Sequence, residues 1–251
     1  MDGLLLVDKS AGWTSFDVVA KVRSILRQEI SKQQLLENRG KKLIANSSLL
    51  VTSSPKVRVG HTGTLDPFAT GLLILVLGKY TKRAGQFSKM DKTYEAELVL
   101  GKTSTTGDPE GKILQKSDKK PTEDEVRAVL KGFEAKILQK PHKYSAIKIG
   151  GQRAYKMARQ GKEIKLEPRQ VTVYSLQITE YKYPKLKITT SVSSGTYIRS
   201  LAEDIGQKLG TGAYLSELRR TSVGKFRVKD ALKSGNINLN NLYDALKIIP
   251  S

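Results

Sequence analysis

The sequence predicts an α+β fold built around a mostly antiparallel sheet. Segments with the apolar runs or the alternation of strands occur along the chain, and two of them, Val171–Tyr181 and Leu186–Ser193, form an expected antiparallel pair. Helical patterns lie among these strands, but strand and helix do not alternate in a regular repeat. This mixture indicates an α+β fold.

The N-terminal segment predicts a strand, a helix and a long insertion. Gly3–Val7 has the apolar run of a buried strand, and Thr14 or Ser15 can cap a helix that continues to about Leu26. The helix is predicted from apolar residues at helical spacing, namely Phe16, Val19, Val22 and Ile25 or Leu26. Residues 28–56 are charged and then rich in Ser and Thr, with little periodicity, which predicts an inserted loop or hairpin.

The rest of the chain alternates between strand and helix signals. Leu72–Leu77 is a continuous apolar run that suits a buried helix or a central strand, and Tyr94–Leu100 alternates as a strand does. Lys102–Gly111 is predicted as a loop, and Pro121–Glu125 opens a helix with an acidic first turn. The other predicted helices are Arg153–Gln160, ended by Gly161; Thr196–Leu209, ended by Gly210; and a short terminal helix over about Asn240–Ile248.

The composition indicates a polyanionic partner. Lys and Arg number 44 against 24 Asp and Glu, which gives a formal net charge of +20. A protein this basic usually contacts phosphates. Ribosomal and membrane-surface proteins share the bias, and a solvated basic surface is the simple alternative, so the charge gives only the class of partner.

Several classes of protein are disfavoured. The chain has no cysteine, which excludes disulfides and thiolate metal sites, and two histidines are too few for a histidine-rich metal site. No apolar run is long enough to span a membrane, and the N-terminus lacks the pattern of a signal peptide. We therefore expect a cytoplasmic protein.

The segment from Gly60 to Leu73 is the strongest candidate for a functional site. It carries one carboxylate, Asp66, in a glycine-punctuated stretch that follows two basic residues, Lys56 and Arg58. Taken alone, Asp66 before a proline is more typical of a surface turn.

The full segment resembles the signature of the bacterial tRNA pseudouridine synthase family, which acts on uridine 55 of the T arm. The same family includes catalytic subunits that modify ribosomal RNA under guide-RNA direction. The resemblance extends over most of the chain, through the segments Leu4–Lys9, Met90–Tyr94, Lys143–Lys148, Gln152–Gly161, Ser194–Arg199 and Leu218–Arg220.

This resemblance implies a pseudouridine synthase fold: a mixed, mostly antiparallel central sheet, flanking helices and a catalytic cleft. Residues 1–235 would form the catalytic domain, with the insertion at 28–56 and an RNA-clamp segment at 137–166. Residues 236–251 would be a short helix and tail, without the additional C-terminal RNA-binding domain that many relatives carry. The reaction is an isomerisation, so neither a cofactor nor a metal is expected, and we expect a monomer that needs no protein partner.

The resemblance also implies three catalytic residues. Asp66 would be the catalytic carboxylate, which either attacks C1′ or removes a proton from C2′. Arg199 would pair with Asp66 and keep it ionised, although a phosphate contact or a surface ion pair is the alternative. Tyr94 would stack on the target uracil and assist proton transfer, although an ordinary core tyrosine fits the same strand pattern.

Further residues are implied to bind the substrate. His61 would fill the stack that the flipped base vacates, although a structural histidine is the usual interpretation. Tyr197 and Leu218 would line the pocket. Basic and aromatic residues would form an RNA clamp, or else a solvated helix face: Lys143, Tyr144, Lys148, Arg153, Tyr155, Lys156 and Arg159.

Two departures from the family pattern and two alternative functions complete the prediction. Ser10 stands where relatives usually have proline, which should matter little, and the insertion before Lys56 could supply RNA contacts. Instead of a tRNA-modifying enzyme, the chain could modify another RNA or act as a non-catalytic tRNA-folding chaperone. The set of Asp66, Tyr94 and Arg199 argues against the chaperone.

Overall fold

The computed structural model describes residues 1–42, 56–145, 147–162, 164 and 166–248, and for 37–42, 148, 155 and 159 it describes the backbone alone. None of the helices in these residues combines the length and the hydropathy needed to cross a bilayer.

The strands are β1 Gly3–Lys9, β2 Val59–His61, β3 Thr70–Leu77, β4 Lys92–Leu100, β5 Lys102–Ser104, β6 Ile113–Gln115, β7 Lys136–Gln139, β8 Lys148–Ile149, β9 Gln152–Arg153, β10 Arg169–Lys182, β11 Lys185–Val192, β12 Ala213–Val223, β13 Phe226–Arg227 and β14 Leu232–Lys233. The α-helices are α1 Ser15–Lys42, α2 Ala84–Ser88, α3 Glu123–Lys131, α4 Ala154–Arg159, α5 Ile198–Leu209 and α6 Leu239–Asp244. Short 3₁₀ turns occupy Gly78–Arg83, Val228–Asp230 and Ser234–Asn236.

The chain divides into two compact units. Unit 1 comprises Met1–Pro67, Gly71–Ser88 and Val228–Ser251, as far as these ranges are described, and unit 2 comprises Phe68–Thr70 and Lys89–Arg227. Unit 1 thus includes the predicted C-terminal tail. The division into a catalytic domain and a tail at residue 235 stays a prediction.

Unit 1 contains a small mixed sheet in the order β14-β1-β3-β2. β1 pairs in parallel with β14 and antiparallel with β3, which also pairs antiparallel with β2. The apolar run Leu72–Leu77 therefore forms a strand rather than a helix, and its side chains are buried. β3 pairs with both β1 and β2, and its side chains are buried on either face of the strand. The segment therefore lacks the polar alternation of a strand that has one face in solvent.

Helix α1 covers the core of unit 1 with a valine and leucine face. Val18, Val19, Val22 and Leu26 are buried at helical spacing, whereas Phe16 is 62% exposed. Phe16, one of the apolar residues from whose spacing the helix was predicted, therefore does not lie on the buried face; it lies about 200° around the helix from Val18. Its ring instead lies 6.0 Å from the Arg23 guanidinium.

The sequence pattern predicted a loop or hairpin that begins at residue 28, but residues 28–42 continue helix α1. They are rich in Gln, Glu, Lys, Leu and Arg, which favour a helix without needing a buried stripe. The Gln33 amide donates to the Glu29 carboxylate one turn earlier (2.9 Å), which adds local support. The Ser- and Thr-rich remainder of the predicted insertion, 43–55, lies outside the described residues.

Unit 2 contains an antiparallel sheet in the order β13-β12-β4-β11-β10-β7. The pairing of β10 with β11 confirms the predicted hairpin. Helix α5 packs on β12 and on α3, and it ends at Gly210 in the left-handed conformation (φ 73°), as predicted. The α+β class and the mixed, mostly antiparallel sheet are therefore confirmed.

Two element boundaries differ from the prediction. The segment Lys102–Gly111 is not wholly a loop, because its start forms β5 and pairs with β6. The terminal helix ends at Asp244 rather than near Ile248, because the chain after it returns to β1. There Leu4 and Lys247 exchange two backbone hydrogen bonds of 2.8 Å.

Candidate active site

The backbone on both sides of Asp66 is fixed to the turn between β1 and α1. The Ser15 hydroxyl accepts a hydrogen bond from the Leu65 N–H (2.8 Å) and donates to the Leu65 carbonyl (3.2 Å). On the other side, the Pro67 carbonyl accepts from the Gly12 N–H (2.9 Å). Asp66 itself is half-buried, and the backbone on both sides of it is held by hydrogen bonds.

Lys9 also joins the Asp66 loop to the β1–α1 turn. It is completely buried, and its ammonium donates to the carbonyls of Ser10 (3.0 Å), Trp13 (2.7 Å) and Pro67 (3.2 Å). A buried ammonium needs such partners, since an unpaired charge in the interior is costly. Lys9 therefore stabilises the β1–α1 turn and the position of Pro67 together.

Replacing Lys9 by Met is expected to lower the free energy of unfolding by about 2–4 kcal/mol, because buried carbonyls lose a charged donor. We also expect a lower rate of catalysis, since Pro67 loses one of its anchors beside Asp66. Lys21→Met is the matched control, because Lys21 likewise donates to two carbonyls, of Ser234 and Gly235, at a more exposed site. Denaturant unfolding of both variants measures the effect; equal losses would contradict this role of Lys9.

Ser10, which departs from the family pattern, makes contacts that a proline could not make in full. Its N–H donates to the buried Ser234 hydroxyl (3.1 Å), and the two hydroxyls lie 3.1 Å apart. Proline has no N–H to donate. The change therefore adds a tie between the β1–α1 turn and the C-terminal segment of unit 1.

His61 lies at the end of β2, directly before the Asp66 loop. It is half-buried and faces Leu75 of β3 in the strand register. The next residue, Thr62, is buried and donates its N–H to the Ile74 carbonyl (3.0 Å). The loop thus begins from a well-anchored strand end, while the predicted role of His61 toward RNA stays a prediction.

Arg199 lies in the first turn of α5 in unit 2, and it is 5% exposed. One guanidinium nitrogen, Nη1, donates to the Thr106 carbonyl (3.1 Å) and to Oδ2 of Asp108 (3.0 Å). The other, Nη2, donates to the Tyr144 carbonyl (3.0 Å). A planar guanidinium held on several sides has a defined direction, which is what a catalytic arginine requires.

Asp108 is a residue that the sequence analysis missed. Its side chain is 4% exposed and forms a buried ion pair with Arg199. Its second oxygen, Oδ1, accepts from the Thr106 hydroxyl (2.5 Å) and from the Glu110 N–H (3.1 Å). The available signal was a carboxylate between Gly107 and a proline, but that pattern is also typical of an exposed turn.

Gln139 of β7 is a second missed residue. It is buried, its amide oxygen accepts from the Tyr197 N–H (2.8 Å), and its amide nitrogen donates to the Tyr197 carbonyl (3.1 Å). Tyr197 directly precedes α5. Gln139 therefore fixes the start of the helix that carries Arg199. It lies in the predicted RNA-clamp segment at 137–166, but nothing in the sequence indicated this supporting role.

Tyr94 and Leu218 lie on the same face of the unit 2 sheet. Tyr94 of β4 faces Arg220 of β12, and Leu218 stands two residues before Arg220, facing Ala96. Residues that face each other, or are two apart in a strand, share a face. Both side chains are largely buried, at 6% and 8% exposure. The structure therefore brings these two predicted residues together.

The same face carries a buried lysine beside Tyr94. Burial, and then the neighbouring Arg220, lower the pKa of Lys92 to about 8, while Asp91 opposes the shift. Lys92 is two residues before Tyr94 and therefore points to the same side of β4. This face thus combines an aromatic ring with positive charge.

The predicted RNA clamp forms a short hairpin and helix. Lys148 and Arg153 face each other in the β8–β9 hairpin, which leads into α4. Arg153 and Lys156 are exposed, and the Lys143 ammonium lies 5.4 Å from the Tyr144 ring centre. The side chains of Lys148, Tyr155 and Arg159 lie outside the described part.

Each unit therefore supplies one part of the predicted site. Unit 1 carries Asp66 and His61, and unit 2 carries Tyr94, Tyr197, Arg199 and Leu218. The predicted pairing of Asp66 with Arg199 involves both units and stays a prediction. Unit 1 offers a half-buried carboxylate, and unit 2 offers an oriented guanidinium and an aromatic face.

An acidic residue near Arg199 gives a prediction about pH. Burial, and then the neighbouring Glu203, raise the pKa of Asp204 from 3.8 to about 6. The folded protein then binds the proton more tightly than the unfolded chain, so this carboxyl costs stability as the pH rises from about 4 to 6. Asp204→Asn should therefore be more stable than wild type at pH 7 by about 1–2 kcal/mol, with a smaller difference at pH 4.5. Urea unfolding at both pH values measures this; a difference independent of pH would contradict it.

Comparisons with known proteins identify the family. Residues 51–198 match the sequence profile of the TruB family pseudouridylate synthase N-terminal domain, and residues 199–249 match that of the tRNA pseudouridylate synthase B C-terminal domain. The chain is 40% identical over 233 residues to tRNA pseudouridine synthase B of Opitutus terrae, covering 92% of this chain and 85% of that protein. It is 37% identical over 243 residues to the protein of the same name from Borreliella burgdorferi, covering 96% and 76%.

Solved structures give the same relationship. A Cbf5-Nop10-Gar1 complex matches with a TM-score of 0.63 and 28% identity, over 92% of this chain and 52% of the matched chain. An H/ACA RNP bound to a substrate RNA containing 2′-deoxyuridine matches with a TM-score of 0.61 and 26% identity, over 93% and 51%. The chain spans about half the length of these solved chains. Because the family profile covers more than half of the sequence and the relatives match over most of their length, the chain belongs to the TruB family of pseudouridylate synthases.

Proposed function

We propose that this protein converts uridine 55 in the T arm of tRNA to pseudouridine, with Asp66 as the catalytic carboxylate. The observation that carries the proposal is the Asp66 loop, in which hydrogen bonds fix the residues on both sides of a half-buried carboxylate. A carboxylate that acts on a sugar carbon must be held in a defined position. The relatives named tRNA pseudouridine synthase B supply the substrate class.

The reaction breaks the N1–C1′ bond, rotates the uracil and joins C5 to C1′, and the C5 proton is released. Asp66 either attacks C1′ or removes a proton from C2′, and both routes are compatible with one carboxylate. The target nucleotide must leave the base stack to reach it. Arg199 would keep Asp66 ionised, and the Tyr94 ring would support the flipped base.

Positive charge supports an RNA substrate. The chain carries a net charge of +20. Unit 1 has a cavity of about 570 Å³ whose lining includes four cationic side chains, Lys56, Arg58, Lys79 and Lys82. Each phosphate neutralised by such residues releases counterions, so tRNA affinity should fall steeply with salt. A tRNA substrate also suits a cytoplasmic enzyme, and we propose that it acts as a monomer without a protein partner.

Tritium release from C5-labelled uridine tests the proposal. The wild-type protein is incubated with a tRNA transcript, with its isolated T-arm stem–loop, and with a transcript in which uridine 55 is replaced by cytidine. We expect one equivalent of tritium to be released from each of the first two RNAs and none from the third. Release that is unchanged by the cytidine would move the target to another uridine, and binding without release from any RNA would favour the chaperone.

A further inference from the structure

We propose that His142, together with Glu203, is a positioning residue that holds the Tyr144 carbonyl and the turn at residues 104–108 against the Arg199 guanidinium. This inference rests on the proposed function, in which Arg199 serves the catalytic carboxylate. The family resemblance assigns no role to His142, and sequence reasoning used it only to count histidines. All the residues concerned belong to unit 2.

The first link runs from His142 to Arg199 through Tyr144. The His142 side chain is 5% exposed, and its Nδ1 accepts a hydrogen bond from the Tyr144 N–H (3.3 Å). The two rings also stack, with centroids 5.8 Å apart and an angle of 30° between the planes. The carbonyl of the same Tyr144 accepts from Arg199 Nη2 (3.0 Å). The imidazole therefore fixes the residue whose carbonyl orients one side of the guanidinium.

The second link runs from His142 back to the helix of Arg199. Because Nδ1 is the acceptor, the proton of a neutral ring lies on Nε2, which is 3.6 Å from Oε1 of Glu203. Glu203 follows Arg199 by four residues in α5, so the two side chains lie on the same face of the helix. The carboxylate therefore lies beside Nε2, where its negative charge favours the tautomer in which Nδ1 accepts.

The third link is the turn that holds the other side of Arg199. A Cβ atom on Gly107 would lie 2.9 Å from Oε1 of Glu203 and 3.0 Å from Nε2 of His142. The pair therefore lies directly against Gly107, whose φ of 70° also favours glycine. The residues before and after it, Thr106 and Asp108, accept the hydrogen bonds of Arg199 Nη1.

Through these three links, His142 and Glu203 contact the groups on both sides of the Arg199 guanidinium. His142 contacts the segment that holds Nη2, and the His142–Glu203 pair contacts the turn that holds Nη1. Nδ1 of His142 binds the residue whose carbonyl contacts Arg199, and Nε2 lies against Gly107, between the two residues that accept from Arg199 Nη1. Both nitrogens therefore lie at supports of the guanidinium. A small displacement of either group would rotate the guanidinium, and catalysis is sensitive to such misplacement.

Two substitutions of His142 separate positioning from packing. His142→Phe keeps a ring that can stack on Tyr144 but removes the acceptor. His142→Asn removes the ring but supplies an oxygen that can accept from the N–H two residues later, as asparagine does in turns. We expect kcat on the stem–loop to fall about tenfold in His142→Phe, because the part-buried Tyr144 N–H loses its acceptor and the Tyr144 carbonyl can then shift against Arg199. We expect His142→Asn to stay within threefold of wild type, and the Kd for RNA to stay within threefold in both.

Glu203→Ala extends the test through a double-mutant cycle. The Glu203 side chain is 41% exposed and alanine favours a helix, so we expect this variant to fold. We expect kcat to fall about threefold in Glu203→Ala. The double variant with His142→Phe should be no slower than His142→Phe alone, because both changes disturb the same set of contacts. Fully multiplicative losses, equal losses in His142→Phe and His142→Asn, or a change in Kd alone would each overturn the proposal.

A readout that needs no activity separates this inference from the proposed function. Nuclear magnetic resonance of the Arg199 guanidinium reports how freely its nitrogens rotate. We expect slow rotation in wild type and in His142→Asn, and faster rotation in His142→Phe. If wild type releases no tritium but this pattern holds, the proposed function fails and the positioning role stands. If tritium is released but Arg199 rotates equally in all three proteins, the positioning role fails.

Discussion

Asp66→Asn is expected to abolish tritium release, with a loss of at least about 10³-fold, while the Kd for tRNA stays within threefold of wild type. An amide has nearly the same shape as the carboxylate, so the loop should keep its hydrogen bonds through Leu65 and Pro67. It cannot, however, act as a nucleophile on C1′ or accept a proton from C2′. Single-turnover release and filter binding measure the two quantities separately.

The matched control is Asp118→Asn, which removes one negative charge at an exposed acid that only accepts from the Gln115 amide among its described contacts. We expect its activity to be that of wild type. Its thermal midpoint and that of Asp66→Asn should also agree, since neither change touches the core. Turnover by Asp66→Asn within tenfold of wild type would show that another group performs the chemistry.

The candidate site could be proposed from the sequence because its signals are local. The run around Asp66 and the motifs of Tyr94 and Arg199 are contiguous, so each resemblance could be recognised without knowing the fold. The fold class was also readable, because the alternation of Tyr94–Leu100 and the apolar run Leu72–Leu77 are properties of single strands.

The supports of the site could not be predicted, because they depend on distant partners. Lys9 and Asp108 are charged residues that a sequence places on the surface by default, yet both are buried with partners. Which carboxylate Arg199 contacts within unit 2 depends on how the turn at 104–108 packs on α5. Nothing in the local sequence distinguishes Asp108 from an ordinary turn aspartate.

The error over residues 28–42 has a different cause. A buried stripe was used as the criterion for a helix, and the criterion fails for a helix whose exposed residues have high helical propensity. Phe16 was one of the apolar residues that indicated the helix, yet it is exposed on the other side of α1. Hydrophobic spacing therefore located the start of α1 but neither its end nor its whole inward face.

Asp108→Asn is expected to lower kcat by about 100-fold and to reduce the free energy of unfolding by about 3 kcal/mol, because it leaves the buried Arg199 charge without its carboxylate in unit 2. The Asn amide can still accept at one atom, but its NH₂ group would face either the guanidinium or the hydroxyl of Thr106, which now donates to Oδ1.

The matched control is Glu110→Gln, an exposed acid in the same turn whose backbone N–H, which the change keeps, donates to Asp108. We expect that variant to unfold and react as wild type does. The comparison with Asp66→Asn then separates two roles for a carboxylate: loss of Asp66 should remove turnover without loss of stability, whereas loss of Asp108 should reduce both. If Asp108→Asn lowered stability but left kcat unchanged, the ion pair would serve the fold alone, and the direction of the Arg199 guanidinium would have to be set by the carbonyls of Thr106 and Tyr144.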